Sequence, residues 1–418
     1  GLLHHEAGVL QGSIISPILY SIFLDDLGEQ IKAVSTLPFD GTTQRGGRYP
    51  TPGAFFYADD IAVVAADEHE LRRQLEVCER HSRVNNYLFN PRKCKLTADR
   101  DVRVTLYGQE VERVPSFVYL GVDFDHHGAR WWDHFERRAK KAQSVVARLK
   151  GCGFHGYGLG ERTNLMAYKA LIRPTLEFGL SVMPRVMKVL YFLDRTQNAI
   201  LRQMFSLPRC ANGFALTVMC ALPRFSHRQD ELRARRAIDL ERRGPKHMVH
   251  HAAKVAAAKG HGSARSCFRG DDSNPIILDY RKELFAAKLR KAHPREYPCI
   301  DRLIIQARVQ HLEWARQKMP RRGAWQISPD AKPKLLYSLA KVSKQDRRII
   351  ICFITQCLLY GRLKCKKCGA SLTYSHLLDC ADVRSAQDWC RIGFMKKAAI
   401  RIRIGVLTCR PDVAGLLD

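Results

Sequence analysis

Phe55-Phe56-Tyr57-Ala58-Asp59-Asp60-Ile61-Ala62-Val63-Val64 places two adjacent carboxylates between two apolar runs. Aromatic and β-branched residues on both sides predict two strands, with the acids at the turn that joins them. If the strands are buried, two neighbouring Asp side chains cost heavily unless a cation balances them. Mg²⁺, or Mn²⁺ in its place, is the natural occupant, because it takes carboxylate oxygens together with substrate phosphates. The plainer reading is a solvated hairpin tip, where Asp is a common turn residue.

Three neighbouring stretches bear on that choice. Upstream lies Gly8-Val9-Leu10-Gln11-Gly12-Ser13-Ile14-Ile15-Ser16-Pro17. Gly8 and Gly12 allow close backbone approach to a base or nucleotide. Gln11 both donates and accepts, which suits a group that orients a strand or an incoming nucleotide. Ser16-Pro17 predicts a helix start, with Ser as the cap and Pro at the first helical position. Ile18, Leu19, Ile22, Phe23 and Leu27 share one helical face and are expected to pack under the sheet. Downstream, 67–88 predicts an amphipathic helix, with Leu71, Leu75 and Cys78 at helical spacing. It leads to Asn90-Pro91-Arg92-Lys93, where Lys93 is either a solvated cation or a phosphate contact. Val102 to Tyr107 alternates, turns at Gly108 and returns through Val111 and Val114 to Phe117-Val118-Tyr119-Leu120-Gly121.

The order and spacing of these four motifs resemble consecutive palm motifs of reverse transcriptases, in the wording of the non-LTR (LINE-type) retrotransposon branch. The resemblance implies an α+β fold in four parts. A partial polymerase palm occupies 1–126 and a helical thumb or connection 127–243. A linker-like stretch covers 244–300, and a helical region with a Cys-Cys-His-Cys zinc knuckle covers 301–418. It implies RNA-directed DNA synthesis, with an RNA template, a DNA primer or target and deoxynucleoside triphosphates as partners. Asp59 and Asp60 would hold metal. Gln11, Gly12, Ser13 and Tyr57 would position template or nucleotide. Lys93 would lie near the triphosphate, and Tyr119, Leu120 and Gly121 would form the primer grip. Members of the family carry fingers and a first palm strand with a further metal-binding Asp ahead of the glutamine motif. Two-metal phosphoryl transfer needs ligands for two ions about 3.5–4 Å apart. The chain is therefore expected to be a fragment with little or no polymerase activity alone. Asp25 and Asp26 follow the Gln-Gly helix on the wrong side to substitute.

The 418 residues suffice for two or three domains, and 69 Lys and Arg against 41 Asp and Glu leave a formal net charge of +28. Such an excess points to a polyanionic partner and to salt-sensitive, largely sequence-independent binding. No apolar run approaches the roughly 20 residues that span a bilayer. Most of the 14 Cys are irregularly spaced, which suits reduced thiols and an intracellular setting. The resemblance puts that setting in the nucleus or a cytoplasmic ribonucleoprotein.

From 130 to 150, Trp131, Phe135, Ala139, Ala142, Val146 and Leu149 form an apolar stripe, with Arg137, Arg138, Lys140, Lys141, Arg148 and Lys150 between them. One face can pack while the other meets water or phosphates. Further helices are expected at 162–182, 186–206 and 226–243, with Pro174 bending or ending its own. Aromatic and Leu positions there read as core. Near the C-terminus, Cys365, Cys368, His376 and Cys380 have the spacing C-x₂-C-x₇-H-x₃-C. Four N and S ligands make a closed, structural Zn²⁺ site, unless the four fall close only by chance. Arg362, Lys364, Lys366 and Lys367 surround them. A non-catalytic nucleic-acid-binding remnant is the competing reading of the whole.

Overall fold

The computed structural model describes residues 13–35, 53–156, 158–209, 211–243, 274–290 and 298–317. Gln11, Gly12 and the four residues of the expected zinc knuckle lie outside them. The chain divides into two compact units, Gly1–His134 and Phe135–Asp418.

The first unit opens with α1 (Ser16–Phe23) and α2 (Asp25–Val34), which meet at Leu24. Ser16 is inside the helix instead of capping it: Ile15 precedes the first turn and makes no side-chain cap bond, so Pro17 falls at the second helical position, one further in than expected. The expected single apolar face also divides at Leu24. Leu27 and Ile31 of α2 are buried, but Ile18 and Ile22 of α1 stay 61% and 67% exposed. The break turns α1 away from the face that α2 presents to the core.

Next come β1 (Ala54–Tyr57) and β2 (Asp60–Val63), an antiparallel hairpin in the register Phe56↔Ile61 and Tyr57↔Asp60. Alternation gives it two unlike faces. Ala54, Ile61 and Val63 pack with Leu27 and Ile31. Phe55, Tyr57, Ala62 and Asp60 form the other face, and Phe55 and Tyr57 keep 46% and 64% of their surface in solvent. The expectation of buried strands is thus corrected. The hairpin is covered on one side only, because α2 and its neighbours supply apolar cover to a single face.

α3 (Glu68–Val84) starts from a reciprocal cap. The Asp67 carboxylate accepts from the Glu70 N–H at 2.8 Å, and the Glu70 carboxylate accepts from the Ala66 N–H at 2.9 Å. The helix stops four residues before the expected Leu88, at Asn85 and a positive-φ Asn86. Polar ties then hold it in place. His81 bridges the Tyr87 hydroxyl and the Asp26 carboxylate, each at 2.8 Å, so Asp26 is engaged in holding α2 to α3. Short strands follow: β3 (Lys95–Leu96), β4 (Thr105–Leu106), β5 (Gln109–Glu110) and β6 (Glu112–Arg113), with β3 parallel to β6 and β4 antiparallel to β5. β7 (Phe117–Tyr119), β8 (Val122–Asp125) and β9 (Gly128–Ala129) form an antiparallel three-stranded sheet.

α4 (Trp131–Gly151) leads into the second unit. Phe135, Ala139, Ala142 and Val146 are buried along the stripe read from the sequence, and Arg137, Lys140, Lys141, Arg148 and Lys150 are exposed. The single helix expected over 162–182 is α5 (Glu161–Ala167), a π turn at Tyr168–Ile172 and α6 (Arg173–Glu177). Pro174 lacks the N–H that an uninterrupted ladder needs, and the wider turn falls just ahead of it. α7 (Met187–Met204), α8 (Gly213–Cys220) and α9 (Phe225–Arg243) follow. The stretch expected to be linker-like contains α10 (Pro275–Leu289), followed by α11 (Ile300–Gln317). Ile276, Ile277 and Tyr280 of α10 pack with Ala234 and Ile238 of α9 and with Leu303 and Ile304 of α11.

Among the described residues of this unit, charges in or beside the core make the pairs that burial requires. Arg228 makes two bonds to the Glu177 carboxylate, at 2.8 and 2.9 Å. Glu231, wholly buried, receives bonds at 2.6 Å from both Arg228 and Arg308. Among the described residues no helix is long and apolar enough to cross a membrane.

Candidate active site

The acidic hairpin turns through Ala58 and Asp59, between the paired residues Tyr57 and Asp60. Ala58 has φ 50°, a left-handed conformation that costs an L-residue about 1–2 kcal/mol. Strain of this kind persists only where the surroundings fix it, and it collects at functional sites. Both carboxylates are exposed, so the expected burial penalty does not arise. Their charges reach different tyrosines. Burial, and then the Asp59 charge, raise the Tyr20 hydroxyl above its usual range. Burial, and then the Asp60 charge, do the same to Tyr119.

The Tyr119 hydroxyl also donates to the Phe55 carbonyl at 3.3 Å, which ties the β7–β8 hairpin to the acidic one. That second hairpin turns through Leu120 at φ 47° and Gly121 at φ 77°. Positive φ at both central residues is the pattern of the type I′ turn, which matches strand twist. Asp59, Asp60, Tyr57 and the Tyr119-Leu120-Gly121 turn are therefore assembled in one place from stretches about sixty residues apart.

Behind the turn, Tyr20, Ser21, Asp25, Gly28, Phe56 and Ala58 line a cavity of about 230 Å³. Asp25 thus stands on the α2 side of the hairpin, whereas Asp26 is held by His81. Among the described residues no three His, Cys, Asp or Glu side chains converge on one point that could hold a metal ion. Asp59 and Asp60 fit the part of a Mg²⁺ shell that one turn can furnish: hard oxygen donors, exposed and open to water and phosphate. Lys93 stands on a separate 3₁₀ turn, Pro91–Lys93, capped by Asn90. Its ammonium is exposed and makes no hydrogen bond or ion pair among the described residues. Ser13 begins the described chain and is half-buried.

Three contributors escaped sequence reading: Tyr20, the Phe55 carbonyl and the strained Ala58. Only Ala58 left a local trace, since the favoured two-residue hairpin turns put a residue at positive φ and no glycine is present to take it.

Residues 3–124 match the family described as reverse transcriptase (RNA-dependent DNA polymerase). Over 189 residues, 42% of this chain, the sequence is 26% identical to the RNA-directed DNA polymerase from mobile element jockey of Drosophila melanogaster, and spans 19% of that protein's length. No solved structure matches. The twin-acid hairpin lies inside the stretch that matches the reverse transcriptase family. The family match and that relative both support a likeness to the reverse transcriptases of non-LTR retrotransposons.

Proposed function

We propose that this chain is part of an RNA-directed DNA polymerase of a non-LTR retrotransposon, and that its acidic hairpin is the nucleotidyl-transfer site. The carrying observation is the bond from Tyr119 to the Phe55 carbonyl, which holds the grip turn beside Asp59 and Asp60. Divalent metal, bound by these carboxylates with water and phosphate oxygens, would activate a primer 3′-hydroxyl and neutralise the triphosphate. The backbone of the Leu120-Gly121 turn supports the primer strand. The exposed aromatic face of β1 offers Tyr57 to the nucleotide sugar or base. Lys93, with no competing partner among the described residues, is available to a leaving pyrophosphate. Gln11, Gly12 and Ser13 are assigned to template or nucleotide by resemblance alone. RNA template, DNA primer and deoxynucleoside triphosphates are the partners of this reading. Zn²⁺ at Cys365, Cys368, His376 and Cys380 is a further part of it, supported by spacing.

The test has two readouts on the full chain. One is primer extension on an RNA template with Mg²⁺, with Asp59→Asn as control. The other replaces Mg²⁺ with Fe²⁺, adds ascorbate and peroxide, and maps backbone cleavage. Cleavage at the hairpin, competed by Mg²⁺ and lost in Asp59→Asn, is expected whether or not the chain turns over. Uniform or absent cleavage, with no metal-dependent extension, would refute the site. The exposed cations of α4 and the net charge favour one second reading, a nucleic-acid-binding protein without catalysis. It predicts salt-sensitive duplex binding that Asp59→Asn leaves unchanged.

A further inference from the structure

The sequence assigns the aromatic residues of the second unit to its core, yet α7 shows one in solvent. Tyr191 is 53% exposed, and Met187, Lys188 and Arg195 share its exposed side of the helix at helical spacing. Arg195 makes no hydrogen bond or ion pair among the described residues. Beside Tyr191 the Arg224 guanidinium lies 5.9 Å from the Tyr191 ring, 5.5 Å from Phe214 and 5.9 Å from Trp314. One cation therefore gathers rings from α7, α8 and α11. Arg224 is itself fixed, its Nε donating to Asp194 at 2.8 Å.

Trp314 is 39% exposed and backed by further rings. It stacks on His311 with centroids 5.4 Å apart, and His311 stacks on His227 at 4.4 Å with planes 8° apart. Phe214 meets Trp314 edge-on at 6.0 Å. Two solvent-facing rings, Tyr191 and Trp314, thus rest on a rigid base instead of swinging freely. A pin between helices would gain most by burying these rings; exposure serves an incoming planar group. Lys188 and Arg195, three residues before and four after Tyr191, supply positive charge at the ring's edge.

We propose that Tyr191 and Trp314 form a stacking platform for single-stranded nucleic acid, with Lys188 and Arg195 at the phosphates. Paired bases present only their edges to a protein, so the platform takes unpaired bases; every base has a face to stack. The platform belongs to the second unit, the acidic hairpin to the first, and the platform needs no divalent metal.

The test is fluorescence anisotropy on the full chain in chelator, with labelled oligouridine RNA, oligothymidine DNA and a blunt duplex. Tyr191→Ala is expected to weaken single-strand binding by about tenfold, while Tyr191→Phe, which keeps the ring, stays within about twofold of the parent. Arg195→Gln is expected to lower the salt slope by about 1. Equal losses on oligouridine and oligothymidine mean the bases are held by stacking alone, whereas a loss on RNA alone adds a 2′-hydroxyl contact; both support the platform. Ultraviolet cross-linking of iodouridine RNA to the unaltered chain should mark the peptides that carry Tyr191 or Trp314, a readout independent of variant folding. A folded Tyr191→Ala with unchanged single-strand affinity, or cross-links only elsewhere, would overturn the proposal and return the rings to a protein contact. Absence of metal-directed cleavage at the hairpin with intact chelator-resistant binding would count against the hairpin alone.

Discussion

Replacing His311 with glutamine is expected to remove an acid-sensitive weakness from the second unit. His311 Nε2 accepts the backbone N–H of Arg224 at 3.2 Å, so the folded ring needs that nitrogen unprotonated. Burial comes first in opposing its charge, then His227 stacked upon it and the Arg224 guanidinium; Glu231 alone favours protonation. Together they hold the folded ring well below the usual 6.5, at about 4. The sign follows from proton counting. Between about pH 6.5 and 4 the unfolded chain binds a proton that the folded chain refuses, so stability falls as pH falls through that window, and the loss is complete below it. From about pH 7.5 to 5 the cost integrates to about 2 kcal/mol, or about 1–2 once partial exposure is allowed for. The amide introduced by His311→Gln can still accept from Arg224 but does not titrate. Urea unfolding of both proteins at the two pH values, read as the difference of differences, should show the variant losing about 1–2 kcal/mol less on acidification. An equal loss in parent and variant would refute the argument, because every other titrating group is common to both.

Asn212→Ala removes the acceptor of the Phe214 and Ala215 N–H groups, held at 2.8 and 3.1 Å, and should cost about 1 kcal/mol by thermal unfolding. Ala58→Gly relieves about 1–2 kcal/mol of left-handed strain against about 0.5–1 of added unfolded-state entropy, for a net gain of about 0.5 kcal/mol; destabilisation would mean the turn differs in solution. Cys368→Ser should cost about one equivalent of zinc by elemental analysis after dialysis, and unchanged metal content would dismiss the knuckle.

The twin-acid turn was legible because two apolar runs flank two charges with no other place for a bend. The α4 stripe was legible because Phe135, Ala139, Ala142 and Val146 keep one helical period. Burial of β1 was not: alternation tells that two faces exist, but only the packing of α2 decides which one is covered. The break at Leu24 has no proline or glycine to announce it. α10 was hidden because Ile276, Ile277, Leu278, Tyr280 and Phe285 place apolar groups all round the helix and erase the period. Within the site, the contact from Tyr119 to Phe55 spans 64 residues, a distance over which local pattern carries no information. Tyr191 and Trp314 escaped for the same reason, since Arg224 joins them from a third segment.

The π turn at Tyr168–Ile172 is one surplus residue accommodated without leaving the helical path. Deleting one residue there would restore a regular spiral and leave the turns on either side nearly in phase, because the wider turn takes up about one extra residue. Upstream, Tyr168 is anchored through its hydroxyl to Gln197 at 2.9 Å; downstream, Arg173 is anchored to the Pro223 carbonyl at 3.1 Å. The two anchors bracket the bulge, Tyr168 opening it and Arg173 following it. A codon lost inside this segment is thereby absorbed by the bulge, whereas the same loss within the regular turns of α7 would swing one part of that helix by about 100° against the other.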